Sequence, residues 1–304
     1  MPAAPLYDLR DVPAGGNALF VAAADGTQIR VAFWKGGDRG TVLLFPGRTE
    51  YIEKYGRVIS RLQERNLNVV VIDWRGQGLS DRTDGRLDRG YVANFLDYQQ
   101  DIAAALAAPE IAALKGPRLL FSHSMGGCIG LRAMVDGLDI KAAIFSSPMW
   151  GFTEPLATVL LVKTLDFIGL GKSLVPGMKP GFYVLDDPFE GNELTNDPDH
   201  YAMFRDHLET APSLGLGGPT IHWAVQTERE MAQLFKTPFP DIPTLIFKVE
   251  QELLVDPEAI SAMAAKMPNG RLEVVNSKHE VWMETPDIQD HVWQMIDDFL
   301  TDIL

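Results

Sequence analysis

The sequence predicts an α/β fold in which a mostly parallel central sheet is covered by helices and interrupted by an inserted helical cap. Uniformly apolar runs alternate with helically patterned stretches, as in a sheet buried on both faces. This alternation stops near residue 149 and resumes near residue 241, and the intervening segment has helical stretches but no strand-like run. We therefore expect the first part of the core at residues 1–148, the cap at 149–240 and the second part of the core at 241–304.

Composition narrows the class of protein. The chain has 304 residues, 46% of them hydrophobic, which suffices for a large core. Its formal charge is −14 and it has no basic cluster, which argues against nucleic acid as a partner. The single cysteine, Cys128, excludes an internal disulfide and suits a reducing compartment. Residues 156–170 are the longest apolar candidate, but charges interrupt them and they fall short of the ~20 residues of a spanning helix.

The start of the chain lacks the basic residues and the long apolar run of a signal peptide. We therefore expect a soluble, cytoplasmic protein.

The first core elements form a hairpin followed by a strand–helix–strand unit. Two apolar runs flank Asp25-Gly26, a dipeptide that favours the positive φ angles of a tight hairpin turn. Residues 41–45 and 69–72 are uniformly apolar and predict strands buried on both faces. Between them, apolar residues recur at helical spacing from 53 to 65.

The rest of the core continues this alternation. An alanine-rich helix is predicted from about 92 to 108, and the helix after residue 124 carries Cys128 as a small core residue. A final helix is predicted from Pro286 to the C-terminus, with Thr285 as its N-cap. The predicted strands are residues 18–21, 29–34, 41–45, 69–72, 118–121, 140–145, 244–249 and 271–275.

A candidate nucleophile, Ser124, stands at the end of the strand at 118–121. The pattern is that of an apolar strand turning sharply into a helix opened by glycines, which exposes a serine hydroxyl to a substrate. The full nucleophile-elbow pattern is G-x-S-x-G, and here Ser122 replaces its first glycine. The adjacent His123 should point to the other side of the strand end, and we expect it to hold a structural hydrogen bond.

A serine hydroxyl needs a base, which in turn is held by a carboxylate. Of the six histidines, His279 alone lies in a loop directly after a late strand, and we take it as the general base. Three carboxylates follow the strand at 244–249. Asp256 precedes a proline at a helix start and is best explained as an N-cap. Glu252, in the connecting loop, is the first choice for the acid, and Glu250 is the second.

Charge that develops on a carbonyl oxygen must be met by backbone N–H groups. One should come from Met125, the residue after the serine. The other should come from the turn after the strand at 41–45. Pro46 has no N–H to donate, which leaves Gly47 or, better, Arg48.

With these residues assembled, the chain resembles the α/β-hydrolase superfamily, and within it the branch of lysophospholipase L2 and monoacylglycerol lipase-like serine hydrolases. The order serine, acid, histidine is the one that this fold uses. The branch's Asp-x-Arg-Gly-x-Gly-x-Ser turn is matched in full at 73–80, and its Gly-His-Ser-Met-Gly-Gly elbow is matched at 122–127 except for the first glycine. Pro46-Gly47 followed by Glu50 stands where the branch has a His-Gly pair and a glutamate.

The resemblance implies an α/β-hydrolase fold and hydrolysis of a carboxylic ester, such as a lysophospholipid or a monoacylglycerol, through an acyl-enzyme on Ser124. We expect neither a cofactor nor a metal. The acid loop departs from the branch's Gly-x-x-Asp-x-x-Val pattern, with Val249 for the glycine and Glu252 for the aspartate. Two alternatives stay open, namely an aminopeptidase of the same fold and a ligand-binding member with little turnover.

The cap is expected to cover the serine. Its apolar segment at 155–171 could line an acyl channel, make transient contact with a lipid surface, or pack within the cap. Acidic residues at 186, 187 and 190 argue against attraction to anionic membranes. The aromatic and apolar residues that could shape a pocket there are Phe182, Tyr183, Phe189, Trp223 and Met231.

Overall fold

The computed structural model describes residues 1–304 and is built on one eight-stranded sheet. Its strands are β1 (Asn17–Ala22), β2 (Gln28–Trp34), β3 (Gly40–Phe45), β4 (Leu67–Ile72), β5 (Arg118–His123), β6 (Ala142–Ser146), β7 (Thr244–Val249) and β8 (Gly270–Val275). They lie in the order β1-β2-β4-β3-β5-β6-β7-β8. Only β2 pairs antiparallel, with β1 and β4, and the other neighbours are parallel. The predicted α/β class is confirmed.

The strands follow from their sequence patterns. Every residue of β3 and β4 is buried, as their apolar runs at 42–45 and 69–72 predict. The hairpin of β1 and β2 turns near Gly26, which adopts a φ of 88° that a residue without a side chain takes at little cost. These strands place the carboxyl ends of β3, β5, β7 and β8 at one edge of the sheet, where the loops of the site begin.

Helices lie against both faces of the sheet. The longer ones are α1 (Gly56–Gln63), α2 (Asp97–Ala107), α3 (Met125–Val135), α4 (Leu156–Leu165), α5 (Pro198–Thr210), α6 (Ile221–Leu234), α7 (Pro257–Ala264) and α8 (Pro286–Thr301). Short helical turns span Ile52–Tyr55, Pro109–Ala112, Asp166–Leu170, Tyr183–Asp186, Pro212–Leu214 and Val281–Met283. None of the helices combines the length and the apolar character needed to cross a bilayer.

The core is divided by the sheet into two apolar clusters of similar size. Residues of α1 and α8 pack with one face of the sheet, and residues of α2, α3 and α7 pack with the other. Cys128 is fully buried on α3, as the sequence predicts. Because helices cover both faces, the central strands need no alternation of polar and apolar residues.

One predicted helix start and one predicted helix cap need correction. The helix expected from about residue 92 begins only at Asp97. Val92 and Phe95 are buried from a non-helical segment, and the Asn94 side chain accepts the Leu96 N–H at 3.0 Å, so apolar spacing there reflects packing rather than a helix.

Thr285 does precede α8, but its hydroxyl donates to the Asp287 carboxylate at 2.6 Å and caps no backbone N–H.

The longer regular elements of the inserted segment are helices joined by loops, and its two-residue strand Gly218–Pro219 pairs with Arg89–Gly90 of the core. Its last helix, α6, packs on the core. Met231 and Leu234 join the same cluster as α3, and Arg132 of α3 bonds Glu230 at 2.6 Å. The boundaries of the cap at 149 and 240 stay a prediction.

Candidate active site

Ser124 occupies the sharp corner between β5 and α3. Its φ of 49° and ψ of −117° are strained for a residue with a side chain, and such strain is typical of functional positions. Hydrogen bonds fix the corner, because the Ser124 N–H donates to Ser146 O at 3.1 Å and its carbonyl accepts the Gly127 N–H at 2.8 Å. The residue is partly exposed. The corner therefore presents the hydroxyl as the elbow pattern predicts.

Two glycines make room for this corner. A Cβ on Gly126 would lie 2.1 Å from the carbonyl oxygen of Phe45, so only glycine allows α3 to approach β3 so closely. A Cβ on Gly130 would lie 2.6 Å from Ser122 Oγ. The serine that replaces the first glycine of the elbow is thus accommodated by a glycine in the second turn of α3.

The structure brings His279 and Glu252 into contact. His279 Nδ1 lies 2.8 Å from Glu252 Oε2 and 3.0 Å from Oε1. The same carboxylate accepts the backbone N–H groups of Leu254 at 2.8 Å and Val255 at 3.2 Å. Burial alone would raise the pKa of Glu252, but the bonds from His279 and these two N–H groups lower it. A charged carboxylate is therefore held against the imidazole.

The other two carboxylates of this loop lie elsewhere. Glu250 is exposed. The Asp256 side chain accepts the N–H of Glu258 at 2.9 Å and caps α7, as expected. Of the three carboxylates considered, only Glu252 reaches His279.

His279 lies beside the residue that precedes the serine, since its ring centroid is 4.8 Å from that of His123. No hydrogen bond joins Ser124 Oγ to His279, whose ring bonds go to Glu252. Such serine–histidine contacts are often loose in structures without substrate.

His123 has the structural environment predicted for it. Its Nδ1 lies 3.1 Å from Ser146 O, and burial lowers its pKa to about 3, so the ring is neutral.

The turn after β3 leaves one backbone N–H free. Pro46 has none, the Gly47 N–H donates to the Glu50 carboxylate, and the Thr49 N–H donates to Gln77 Oε1 at 3.0 Å. The Arg48 N–H has no acceptor in the protein. Across the elbow, Met125 is the first residue of α3, where an N–H has no partner within the helix.

A buried ionic network supports this turn, and sequence reasoning missed it. Lys54 Nζ lies 2.7 Å from Glu50 Oε1 and 2.6 Å from Glu280 Oε1. The Tyr55 hydroxyl also donates to Glu50. Burial opposes ionisation, but Lys54 holds the pKa of Glu50 at about 2. The network ties the turn to the residue that follows His279. Its signals in the sequence were Glu50 and the downstream Lys54 and Tyr55, which match the family motif but do not reveal the bond to Glu280.

Glu50, His123 and Glu280 place potential ligand atoms within 4.8 Å of one another. The Lys54 ammonium already bonds both carboxylates in this space. A cation held there by the protein itself leaves no fit for a metal ion.

A narrow apolar crevice lies between the cap and the turn, and Phe182 and Tyr183 line it together with Thr49 and Leu216. The other residues expected to shape a pocket lie apart from it. Trp223 stacks on the Arg48 guanidinium, 5.1 Å from its ring centroid. Phe189 packs on Tyr201 and Met231 lies in the core.

The sheet order and the elbow define the class of protein. A serine at a strained strand-to-helix corner, with a later carboxylate bonded to a later histidine, is the arrangement of an α/β hydrolase.

The chain belongs to the family whose model is described as serine aminopeptidase, S33, which matches residues 36–286. It is similar to the probable lysophospholipase L2 of Haemophilus influenzae, with 29% identity over 86% of this chain and 84% of that protein. It is also similar to lysophospholipase L2 of Escherichia coli K12, with 27% identity over 85% and 79% of the two chains.

Solved structures of the same fold include a soluble variant of monoglyceride lipase from Saccharomyces cerevisiae, with a TM-score of 0.74, 19% identity, and coverage of 98% of this chain and 99% of that one. A thermostable carboxyl esterase from Bacillus coagulans has a TM-score of 0.75, 18% identity, and coverage of 96% and 99%. At these identities the likeness shows the fold.

Proposed function

We propose that this α/β hydrolase cleaves lipid esters such as a lysophospholipid or a monoacylglycerol through an acyl-enzyme on Ser124. The enzyme class, a carboxylic ester hydrolase, accords with the curated lysophospholipase relatives and the monoglyceride lipase and esterase folds. The observation that carries the residue roles is the contact between His279 and Glu252, next to the strained corner of Ser124. This contact orients His279 as a base, although the acid loop has Glu252 in place of the aspartate of the family pattern.

In the proposed reaction, His279 Nε2 takes the proton of Ser124 Oγ as the oxygen attacks the ester carbonyl carbon. Glu252 accepts the Nδ1–H of His279 and stabilises the imidazolium that forms. The N–H groups of Arg48 and Met125 bind the carbonyl oxygen as it becomes negative. The C–O bond to the alcohol then breaks, and His279 returns the proton to the departing alcohol. Water, deprotonated by His279, hydrolyses the acyl-enzyme and restores Ser124.

The charged groups on the turn after β3 favour an ester over a peptide with a free amino group as the substrate. An aminopeptidase needs a carboxylate to receive the substrate's ammonium group. The turn carries two charged side chains, Arg48 and Glu50. Arg48 makes no ion pair with any carboxylate and would repel an ammonium group, and the Glu50 carboxylate is already bonded by Lys54.

A pair of substrates tests this choice. A short-chain monoacylglycerol and a leucine anilide should be assayed with the wild-type protein and with Ser124→Ala. We expect ester hydrolysis that Ser124→Ala abolishes, with little anilide cleavage. A higher kcat/KM for the anilide would instead favour the aminopeptidase.

We also propose transient contact of the cap with a lipid surface. The cap exposes large apolar side chains along α4 and the turn that follows, including Leu156, Leu160, Phe167 and Ile168, and Phe167 is 91% exposed. An apolar face of this kind is typical of a membrane or partner contact. Because the net charge is −14, we expect a zwitterionic rather than an anionic surface.

A further inference from the structure

The side chain of Arg48 lies where the turn after β3 meets the cap, and its charge has no acidic partner. Nη2 donates to the carbonyl oxygen of Gly217 at 2.6 Å, and the guanidinium lies over the Trp223 ring. Nε is buried without any acceptor. No Asp or Glu carboxylate forms an ion pair with this group, and burial lowers its pKa to about 10, against weaker opposing effects of Tyr98 and Tyr183. Arg48 is therefore still charged at neutral pH.

Two other buried arginines of this protein, Arg30 and Arg75, are paired with carboxylates, and Arg82, which has no ion pair, is bonded to backbone carbonyl groups. Arg30 bonds Glu53 and Asp73, both at 2.7 Å, and Arg75 Nε donates to Asp101 Oδ1 at 2.8 Å. Buried cations are normally paired in this way because an isolated charge is costly to desolvate. The chain has 41 acidic and 27 basic residues, so carboxylates are not scarce. An unpaired guanidinium beside the proposed site is therefore available to an anionic ligand.

We propose that the Arg48 guanidinium binds the phosphate of a lysophospholipid head group while the N–H of the same residue binds the ester oxygen. This proposal rests on the proposed ester hydrolysis and names its substrate class. A guanidinium presents a planar set of donors that fits phosphate oxygens. In a lysophospholipid, the glycerol backbone separates the ester from the phosphate by a few bonds, a reach comparable to an arginine side chain.

Arg82 offers a matched control. It is also a shielded arginine without an ion pair, and it also holds the cap, through the carbonyl oxygens of Ser213 at 3.3 Å and Gly215 at 3.1 Å. Its Nη2 further donates to Gly78 O at 2.8 Å, and its Nη1 donates to Gly76 O. Because carbonyl groups occupy its donors, Arg82 should fasten the cap without binding a substrate anion.

The test compares lysophosphatidylcholine with a monoacylglycerol of the same acyl chain. We expect Arg48→Met to lower the ratio of their kcat/KM values by about 10-fold to about 100-fold, as for the loss of a hydrogen bond to a charged group. Arg48→Lys should give an intermediate ratio, because a lysine keeps the positive charge but lacks the planar pair of N–H donors of a guanidinium. Arg82→Met should lower both kcat/KM values and keep their ratio. An equal loss on both substrates in the Arg48 variants contradicts the proposal.

Competition on the wild-type protein gives a readout independent of any variant's folding. Glycerophosphocholine should inhibit monoacylglycerol hydrolysis competitively, and inorganic phosphate should inhibit it less. Equal or stronger inhibition by inorganic phosphate would assign the site to free phosphate and overturn the lipid assignment. If the wild-type protein hydrolyses both esters with no preference and no competition, only this inference fails. If it hydrolyses neither ester, the proposed function fails with it.

Discussion

Glu252 holds the imidazole of His279 with a side chain one methylene longer than that of the aspartate in the family pattern. The extra length is absorbed within the acid loop, because the carboxylate also accepts the N–H groups of Leu254 and Val255. The loop fixes the carboxylate before any substrate arrives. Burial of the Glu252 carboxylate would raise its pKa. The hydrogen bonds from His279, Leu254 and Val255 outweigh this effect, and the pKa is lowered.

Replacing this carboxylate should therefore slow the chemical step. We expect Glu252→Gln to lower kcat by about 100-fold or more, because an amide no longer stabilises the imidazolium or selects its tautomer. Glu250→Gln is the matched control, since Glu250 is exposed, and its kcat should match that of the wild-type protein. Steady-state kinetics on a soluble ester measures both. Equal kcat values in the two variants would show that Glu252 is not the acid.

Lys54 neutralises two buried carboxylates under the turn, Glu50 and Glu280. We expect Lys54→Met to lower the free energy of unfolding by about 3–5 kcal/mol, because it leaves buried charge without a partner. Lys163→Met removes an exposed ion pair with Glu228 and should change it by less than about 1 kcal/mol. Urea denaturation followed by circular dichroism gives both values. Similar losses in the two variants would contradict the assigned role of the network.

Helix α3 lies close to β3 and β5. A Cβ on Gly130 would lie 2.6 Å from Ser122 Oγ and 3.0 Å from Leu120 Cδ2. The packing of this helix on the sheet therefore depends on a small residue at 130, once a serine stands at 122.

This packing can be tested by a double-mutant cycle. We expect Gly130→Ala to reduce the free energy of unfolding by about 1–3 kcal/mol through overpacking. Adding Ser122→Gly should restore part of that loss, since it removes one of the two clashing groups. Equilibrium denaturation of the single and double variants measures the coupling. Purely additive effects would mean that Ser122 and Gly130 do not share this space.

The strands and the order of the elements could be predicted because each depends on local pattern. Uniform apolar runs marked β3 and β4, and a strand ending in a serine followed by glycines marked the elbow. The start of α2 could not be predicted, because Val92 and Phe95 are apolar for tertiary reasons.

The sequence could predict which residues form the candidate site, but not all of the contacts that their side chains make. The loop positions of Glu252 and His279 are local features of the sequence, and the structure joins the two side chains. The bond between Lys54 and Glu280 connects residues 226 positions apart, and no spacing rule predicts such a partner. The direction of the Arg48 side chain likewise depends on the cap residues Gly217 and Trp223.

The whole protein joins the strained corner of Ser124 to an inserted segment that exposes large apolar side chains. If these side chains contact lipid, Phe167→Asp should reduce binding to phosphatidylcholine vesicles and reduce hydrolysis of vesicle-bound ester, by about 10-fold. Hydrolysis of a soluble short-chain ester should change little. Val274→Asp is the control, since Val274 is 54% exposed on β8 and lies outside the cap. Equal loss of vesicle binding in both variants would mean that the apolar face of the cap is not the specific site of lipid contact.

We propose that Ser124 forms the acyl-enzyme with His279 as its base. Intact-mass spectrometry after treatment with a fluorophosphonate measures this directly. We expect the wild-type protein to gain one label, Ser124→Ala to gain none, and His279→Ala to be labelled far more slowly because its serine lacks a base. Peptide mapping should place the label on Ser124. A label on Ser124→Ala at the wild-type rate, with undiminished ester hydrolysis, would contradict the account.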